Sequence, residues 1–156
     1  MKAVFFDRDD TLIQDSGYMH KKEDLRFFED TISTLQALKQ KGYEFFIVTN
    51  QSGVGRGYFT IEQMHSFNQF MLDEFKKYDV EIKKVVFCPH SPKDNCDCRK
   101  PSPKLINDLC KQYNIEKHLS YMIGDKDSDF QAGLKAGLKS YKIVPGSIKS
   151  ILNFIK

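Results

Sequence analysis

The chain has 156 residues, of which 40% are hydrophobic and 13% aromatic, and its formal net charge is +3. This length suits one domain over residues 1–156, with a hydrophobic core of its own. The slight charge, without a block of lysine and arginine, argues against a nucleic-acid partner, and no apolar run approaches the roughly 20 residues of a membrane span.

The N-terminus carries no basic segment followed by an apolar core, so no signal peptide is predicted. We therefore expect a cytoplasmic protein, in which disulfides are disfavoured. Three of the four cysteines lie within eleven residues. This clustering favours metal binding over disulfide pairing.

Strand-like and helix-like stretches alternate along the chain. Short apolar runs predict five strands, over 3–6, 43–48, 84–87, 119–123 and 141–144. A loop with three glycines is predicted over 53–57. Capping and stop signals predict five helices. The first runs from Asp30 to Gly42, and the second runs from a capping box at 60–63 to about Tyr78. The third starts at Ser102-Pro103, the fourth ends at Gly137, and the fifth covers 148–155.

This alternation predicts an α/β fold: a doubly wound, Rossmann-like parallel sheet with right-handed crossovers and helices on both faces. Polar groups repeatedly follow the strands, with Asp7 after the first, Thr49 after the second and Asp125 after the fourth. The carboxyl ends of such strands border the ligand crevice. We therefore expect these side chains to converge on one site.

The residues expected at that site suit phosphoryl transfer. They are the carboxylates of Asp7, Asp9 and Asp125, the hydroxyl of Thr49, and the amines of Lys100 and Lys126. Carboxylates suit Mg²⁺, and a cation beside a lysine provides the charge neutralisation that phosphoryl transfer needs. Asp7 as nucleophile would form an acyl-phosphate, while Asp9 would protonate the leaving alcohol and then deprotonate the attacking water.

A second metal site is predicted from one imidazole and three thiols, which are those of Cys88, His90, Cys96 and Cys98. Four such ligands meet the tetrahedral demand of structural Zn²⁺ and leave no position open for chemistry. Reactive cysteines and chance clustering are the alternatives. Cys110, within a predicted helix, is expected to be a buried small hydrophobe.

Four motifs, in order along the chain, resemble those of the haloacid dehalogenase superfamily of phosphatases. They are the nucleophile motif at 7–11, the hydroxyl motif at Thr49, the phosphate-binding lysine at Lys100, and the acidic metal motif at 124–126 with Asp129. The resemblance implies an Mg²⁺ site formed by Asp7, Asp9, Asp125 and Lys126. Asp10 stands where close relatives usually have glycine, at a position that would favour glycine if its backbone angle is unusual.

The cysteine-rich loop, followed by Arg99-Lys100-Pro101, resembles the branch of this superfamily that acts on heptose bisphosphate and histidinol phosphate. By that likeness the substrate is contacted by Asp15, Ser16, Gly17, Tyr18, Thr49, Asn50, Gln51, Ser52, Arg99 and Lys100. Arg56 offers a further donor. The five-residue spacer 91–95 is closer to the histidinol-phosphate enzymes. The short inserts leave no room for a cap domain, so the zinc loop is expected to form a wall of an open crevice.

We therefore predict a Mg²⁺-dependent phosphomonoester hydrolase that acts on a small phosphorylated metabolite as a monomer. Arg99 offers a planar fork for a second phosphate, which favours a bisphosphorylated heptose over histidinol phosphate. Two rivals come from other classes. A phospho-accepting receiver domain would need an aspartate after the third strand, where this chain has Cys88. An inactive zinc-stabilised binding module would not need the acids and Lys100 of the predicted site, so their presence argues against it.

Overall fold

Five strands form one parallel sheet. In the computed structural model, which describes all 156 residues, they are β1 (Ala3–Phe6), β2 (Glu44–Asn50), β3 (Ile82–Cys88), β4 (Tyr121–Gly124) and β5 (Lys139–Lys142). Their order across the sheet is β3-β2-β1-β4-β5. This is the open parallel sheet that the alternating pattern predicted.

Five helices lie between the strands. They are α1 (Thr31–Gln40), the single turn α2 (Ser52–Gly55), α3 (Ile61–Lys76), α4 (Lys104–Tyr113) and α5 (Asp127–Ala136). Short 3-10 segments cover Lys22–Asp24, Pro92–Asp94, Lys117–Leu119 and Ile148–Asn153. None of the helices combines the length and the apolar character that crossing a membrane requires.

Each face of the sheet carries its own hydrophobic cluster, because successive side chains of a strand point to opposite faces. In β1, Val4 and Phe6 pack in the cluster that contains residues of α1 and α3. Ala3 and Phe5 pack in the cluster that contains residues of α4 and α5. Helices therefore cover both faces, which confirms the doubly wound fold.

Several predicted boundaries were wrong. Strand β5 lies two residues earlier than the predicted run 141–144, because its pairing with β4 places Lys139 opposite Tyr121; Val144 is 72% exposed. Part of the predicted loop 53–57 is helical, in α2, and the predicted closing helix is a 3-10 segment. Strand β3 begins two residues before its predicted start.

The helix starts follow their sequence signals to different degrees. The capping box of α3 is confirmed: Thr60 Oγ1 accepts from the Gln63 N–H at 3.1 Å, and Gln63 Oε1 accepts from the Thr60 N–H at 2.8 Å. Asp30 occupies the cap position of α1, but its side chain makes no capping bond. Helix α4 starts one residue after Pro103, and Ser102 Oγ accepts from the backbone N–H of Lys104 at 3.2 Å.

The strand order reverses at β1. From β1 the chain adds β2 and β3 on one side, then returns to place β4 on the other side of β1. Ligands of open α/β sheets bind beyond the carboxyl ends of the strands at such a point. The connection from β1 to α1 contains only one 3-10 turn and two isolated bridges. No cap domain covers this end of the sheet.

Candidate active site and metal loop

Lys100 lies at the centre of the site, directly beyond the ends of β1 and β2. Its Nζ donates to Asp7 Oδ1 at 2.9 Å, to Asp129 Oδ1 at 2.6 Å and to the carbonyl of Val48 at 2.7 Å. The residue is 3% exposed. Burial acts to lower the pKa of Lys100, but the two carboxylates outweigh it and raise the pKa. A buried ammonium is stable here because two anions and a carbonyl satisfy it.

Three carboxylates face this lysine in one cluster. Ligand oxygens of Asp7, Asp125 and Asp129 all lie within 4.8 Å of one another. Burial raises the pKa of Asp7 to about 7, since the lowering by Lys100 is smaller and the negative charges of Asp129 and Asp9 raise it further. Burial and the charge of Asp129 also raise the pKa of Asp125.

This cluster fits a divalent cation. Carboxylates held together in a buried site repel one another unless a positive charge neutralises them, and Lys100 supplies only one such charge. Hard oxygen ligands are what Mg²⁺ prefers. Thr11 Oγ1 donates to Asp125 Oδ1 at 3.4 Å and orients that carboxylate. The donor set Asp7, Asp125 and Asp129 therefore suits magnesium.

Two residues predicted as magnesium ligands lie outside this cluster of ligand atoms. The Asp9 carboxylate accepts from Arg8 Nε at 2.7 Å and from Gln51 Nε2 at 3.2 Å. Lys126 precedes α5, and its backbone N–H donates to Asp129 Oδ2 at 3.1 Å. Their role toward the metal stays a prediction. Asp129 belongs to the acidic motif of the sequence but not to the predicted ligand set, because an acid in the first turn of a helix is accounted for by the helix dipole alone.

The end of β2 fixes the backbone around Lys100. Asn50 Oδ1 accepts from the Lys100 N–H at 3.1 Å, and Asn50 Nδ2 donates to the Lys100 carbonyl at 3.3 Å. Thr49 is buried, and its Oγ1 accepts from Gln51 Nε2 at 2.8 Å. The two bonds of Asn50 therefore hold the loop that carries Lys100 against the end of the sheet.

The resulting crevice has a volume of about 190 Å³ and an entirely polar lining. Eight predicted site residues line it: Asp7, Asp9, Asp15, Asn50, Ser52, Arg99, Lys100 and Lys126. Asp129, from the predicted acidic motif, and Ser128, which no sequence pattern predicts, complete the lining. Thr49, Gln51 and Asp125 are not lining residues. Gln51 bonds to Asp9 and to Thr49, and Asp125 belongs to the acid cluster with Asp7 and Asp129.

Most of the predicted segment 15–18 lies at the rim. Asp15 Oδ1 accepts from the Gly17 N–H at 2.9 Å, and Gly17 has a φ of +93°. Ser16 is exposed, and Tyr18 is half-exposed, with its ring edge-on to Tyr58 at 4.6 Å between centroids. Of this segment only Asp15 reaches the lining of the crevice.

Arg56 lines a neighbouring crevice of about 340 Å³, with Tyr58, Ser91 and Lys93 among its other lining residues. The two crevices adjoin, because Arg56 Nε donates to the hydroxyl of Ser52 at 3.3 Å. No acidic residue lines the second crevice. Its lining therefore has positive charge.

The cysteine-rich loop brings its four donor residues together. Ligand atoms of Cys88, His90, Cys96 and Cys98 lie within 4.8 Å of one another, and no cysteine forms a disulfide. The Sγ atoms of Cys88 and Cys98 are 3.0 Å apart, and Cys88 Sγ lies 3.4 Å from His90 Nδ1. Three sulfurs and one imidazole nitrogen in contact fit a single tetrahedral Zn²⁺. Cys110 is buried in α4, outside this group, as expected.

The thiols of this loop differ in acidity. Burial raises the pKa of Cys88 to about 12. Desolvation also acts to raise the pKa of Cys96, but hydrogen bonds from the Cys98 backbone and the Cys88 thiol outweigh it and lower that pKa to about 6. Only the thiolate is a metal ligand, so a bound cation would stabilise the deprotonated form of Cys88.

The loop is docked against α2 by a glycine. The Gly55 N–H donates to the Pro89 carbonyl at 2.8 Å. A Cβ at this position would lie 2.7 Å from the backbone nitrogen of Ser91 and 2.9 Å from the Pro89 carbonyl oxygen. The loop then continues into Arg99, whose buried Nη1 has no hydrogen-bond partner, and into Lys100. The loop thus positions both cations.

Residues 7–143 match the sequence profile of a family described as haloacid dehalogenase-like hydrolase. The chain belongs to this family. The match spans the acids at the ends of β1 and β4 and the lysine between them, so the predicted family is confirmed. The strand order of this haloacid dehalogenase-like hydrolase reverses at β1, beside Asp7 and Asp125.

Named relatives of this hydrolase are similar over most of their length. The D-glycero-beta-D-manno-heptose-1,7-bisphosphate 7-phosphatase of Helicobacter pylori is 41% identical over 140 residues, which are 89% of this chain and 81% of that protein. The enzyme of the same name from Haemophilus ducreyi is 41% identical over 152 residues, covering 92% of this chain and 82% of the relative.

The fold of this hydrolase is also that of solved relatives. The D,D-heptose 1,7-bisphosphate phosphatase of B. bronchiseptica, solved with magnesium and phosphate, superposes with a TM-score of 0.87 at 27% identity. The match covers 98% of this chain and 86% of that one. A HAD-like phosphatase from Mesorhizobium loti gives a TM-score of 0.83, also at 27% identity, over 94% of this chain and 77% of its own.

Proposed function

We propose that this chain is a Mg²⁺-dependent phosphomonoester hydrolase that removes the 7-phosphate of D-glycero-D-manno-heptose 1,7-bisphosphate. The observation that carries the proposal is the buried ion pair of Lys100 with Asp7 and Asp129, delivered to the end of β1 by the cysteine-rich loop. Relatives about 40% identical are named for this reaction. The B. bronchiseptica relative was solved with magnesium and phosphate.

Asp7 is the proposed nucleophile. An oxygen of its carboxylate attacks phosphorus, the bond from phosphorus to the sugar oxygen breaks, and an aspartyl-phosphate forms. Asp9 gives a proton to the departing sugar oxygen, then takes one from the water that attacks the aspartyl-phosphate. That second attack releases inorganic phosphate and regenerates the carboxylate of Asp7.

Lys100 and Thr49 are proposed to hold the phosphoryl group during both steps. Lys100 can shift its ammonium bonds from Asp7 to phosphate oxygens, since phosphate carries more charge than one carboxylate. The Thr49 hydroxyl accepts from Gln51 Nε2, so its own hydrogen remains available to a phosphate oxygen. The Lys100 ammonium is held against Asp7 and the Val48 carbonyl, and Thr49 lies near the end of β2, so both groups are fixed in position before substrate arrives.

Magnesium is proposed to bind the carboxylates of Asp7, Asp125 and Asp129, whose ligand oxygens already lie within 4.8 Å of one another. When bound, it would neutralise charge on the phosphoryl oxygens. Zinc is proposed to be structural, held by Cys88, His90, Cys96 and Cys98. It would stabilise the loop that presents Arg99 and Lys100.

The rest of the substrate is proposed to lie along the outer wall of the crevice. The predicted contacts are those of Asp15, Ser16, Gly17, Tyr18, Asn50, Gln51, Ser52, Arg56 and Arg99. Arg99 has a buried Nη1 without a partner, which suits the retained phosphate. Arg56, with Lys93 in the adjoining crevice, would extend this positive wall. Histidinol phosphate ends in an amine and an imidazole, and it would gain nothing from these cations.

The test measures kcat/KM for heptose 1,7-bisphosphate and for histidinol phosphate with the same preparation. We expect the sugar to be preferred by at least about 10-fold, equivalent to about 1.4 kcal/mol of transition-state binding. Arg99→Ala should lower kcat/KM for the bisphosphate and leave aryl phosphate hydrolysis nearly unchanged. Arg26→Ala is the matched control, because the guanidinium of Arg26 bonds only to the backbone carbonyls of Glu23 and Leu25, outside the crevice. A preference for histidinol phosphate would overturn the proposed substrate.

A further inference from the structure

Arg8, the residue between the two catalytic aspartates, is completely buried. Its Nε donates to Asp9 Oδ1 at 2.7 Å, and its Nη2 lies 3.3 Å from Asp9 Oδ2. This is a fork contact with both carboxylate oxygens, the strongest geometry available to an arginine–carboxylate pair. In an extended strand, the Arg8 side chain would point to the opposite face from the side chains of Asp7 and Asp9.

The guanidinium is itself held in place by α3. Arg8 Nη1 donates to Asn68 Oδ1 at 2.9 Å. The guanidinium carbon lies 4.7 Å from the ring centroid of Phe67, one residue earlier on the same helix. Hydrogen bonding and stacking together leave the guanidinium little freedom. The Asp9 carboxylate thus takes its position from a helix that begins more than fifty residues later.

Gln51 completes the network on the other side. Its Oε1 accepts from Arg8 Nη2 at 3.1 Å, while its Nε2 donates to Asp9 Oδ2 at 3.2 Å and to Thr49 Oγ1 at 2.8 Å. The amide therefore has one defined orientation. Both Asp9 oxygens are engaged by these donors, yet the Asp9 side chain remains 26% exposed and lines the crevice.

We propose that Arg8 is a positioning residue that holds the carboxylate of Asp9 at the angle from which it exchanges protons with the leaving group and with water. The proposal rests on the function proposed above, because it needs Asp9 to act as acid and base. Asn68 and Phe67 fix Arg8, and Arg8 with Gln51 fixes Asp9. The chain of contacts makes two side chains of α3, those of Asn68 and Phe67, part of the catalytic geometry.

The first test is a double-mutant cycle. Arg8→Met should lower kcat for heptose 1,7-bisphosphate about 10- to 100-fold, since misplacement of a catalytic group by 1 Å can cost about 100-fold. KM should change less than about 3-fold. In an Asp9→Asn background the same substitution should have almost no further effect, because the group that it positions is already lost. Additive losses in the double variant would overturn the proposal.

The second test varies the leaving group. A nitrophenolate leaves without a proton, whereas a sugar alkoxide needs one. Single-turnover formation of the phosphoenzyme should therefore slow at least about 10-fold in Arg8→Met with the sugar phosphate and less than about 3-fold with 4-nitrophenyl phosphate. Equal slowing with both substrates would indicate a merely structural role and overturn the proposal.

Asn68→Ala keeps the proposal testable if Arg8→Met fails to fold. It removes one bond to the guanidinium, and we expect kcat to fall several-fold with the same dependence on leaving group. Met71→Ala is the matched control: Met71 is buried in the hydrophobic cluster of the same helix and is not a hydrogen-bonding or stacking partner of Arg8, so kcat per folded molecule should be unchanged. Equal kcat losses in these two variants would overturn the role of Arg8. A wild-type enzyme that hydrolyses neither phosphate ester would instead overturn the proposed phosphatase function.

Discussion

Asp7 and Asp9 are separated by one residue, yet their carboxylates have different partners. Asp7 bonds to Lys100 and joins the acid cluster, whereas Asp9 bonds to Arg8 and Gln51. The same residue type can therefore serve two chemical roles, because each role is set by the groups around it. A nucleophile needs to reach phosphorus, and an acid–base needs a fixed angle toward the leaving oxygen.

Substitution of each aspartate should separate these roles. We expect Asp7→Asn to abolish turnover, since an amide is no nucleophile, and Asp9→Asn to lower kcat by about 10²- to 10⁴-fold. The Asp9→Asn variant should accumulate phosphoenzyme, because water is no longer activated. Rapid quench with labelled substrate and peptide mapping would check this. A phosphoryl group on any residue except Asp7 would contradict the assignment.

The raised pKa of Asp7 predicts how stability depends on pH. Its native value of about 7 lies above the roughly 3.9 of an unfolded aspartate. Between these values the native state binds more protons than the unfolded state, so this residue lowers the free energy of unfolding as pH rises from about 4 to about 7. In magnesium-free buffer at pH 8, Asp7→Asn should have a free energy of unfolding higher than that of wild type, by an amount on the order of 1–3 kcal/mol. The difference should vanish near pH 4.

Added Mg²⁺ provides the control for that experiment. It should stabilise the wild type at pH 8 by mass action and have little effect on Asp7→Asn, which has lost a ligand. Calorimetry at several pH values with and without Mg²⁺ would measure both effects. An Asp7→Asn variant less stable than wild type at pH 8 without magnesium would contradict the account.

Asp10 adopts the left-handed conformation, with a φ of +59°. This is the geometry at which glycine would be expected, and aspartate tolerates it better than branched residues do. The Asp10 carboxylate also accepts from the Asp15 N–H at 3.0 Å. Asp10→Val should therefore lower the free energy of unfolding by about 1–3 kcal/mol, whereas Asp10→Gly should stay within about 1 kcal/mol of wild type. Urea denaturation would check this, and an unaffected Val variant would refute the strain.

We expect the loop between β3 and α4 to be the element that carries most of the specificity. It begins with Cys88 at the end of a strand, closes on itself through the four clustered cysteine and histidine residues, and ends with Arg99 and Lys100. A loop of this kind has few apolar contacts to hold it. Bound zinc would supply folding free energy that its sequence lacks.

Removal of one predicted zinc ligand should therefore loosen this loop and displace the residues that it carries into the site. Protein purified without added metal should contain about one zinc per chain. Cys98→Ala should lose the zinc and bind substrate more weakly, through displacement of Arg99 and Lys100. Cys110→Ala is the matched control, since Cys110 is buried in α4 away from the metal loop. Metal analysis with activity assays would check this, and full activity in zinc-free protein would contradict it.

At the scale of the whole molecule, the two hydrophobic clusters share one sheet. Alternate residues of β1 and β2 contribute to opposite clusters, so neither cluster can form without the strands of the other. This arrangement predicts one cooperative unit over residues 1–156. The polar crevice is part of the same unit, because its acids and hydroxyl follow these strands.

Unfolding should accordingly be a single transition. The chain has seven tyrosines and no tryptophan, so far-UV circular dichroism and tyrosine fluorescence should give coincident curves. Sedimentation should give one species of 18.1 kDa, the proposed monomer. Mg²⁺ with inorganic phosphate should raise Tm. Two resolved transitions, or a stable dimer, would contradict these expectations.

The sequence alone determined the features that depend on near neighbours. Apolar runs predicted the five strands, and with them the position of the acids at the strand ends. The capping box at 60–63 predicted the start of α3. The spacing of the cysteines and His90 predicted the cysteine-rich loop. These signals are local because hydrogen bonding in a cap, side-chain alternation in a strand and ligand spacing in a loop involve residues a few positions apart.

Only the tertiary structure decided which partners the polar side chains found. Lys100 meets Asp7 across 93 positions, and Arg8 meets Asn68 across 60. Pairing with β4 set the register of β5, and the fold brought Gln51 to the carboxylate of Asp9 while Asp129 joined the acid cluster. No local pattern encodes these choices, because a side chain's orientation follows from the donors and acceptors that distant segments bring to it.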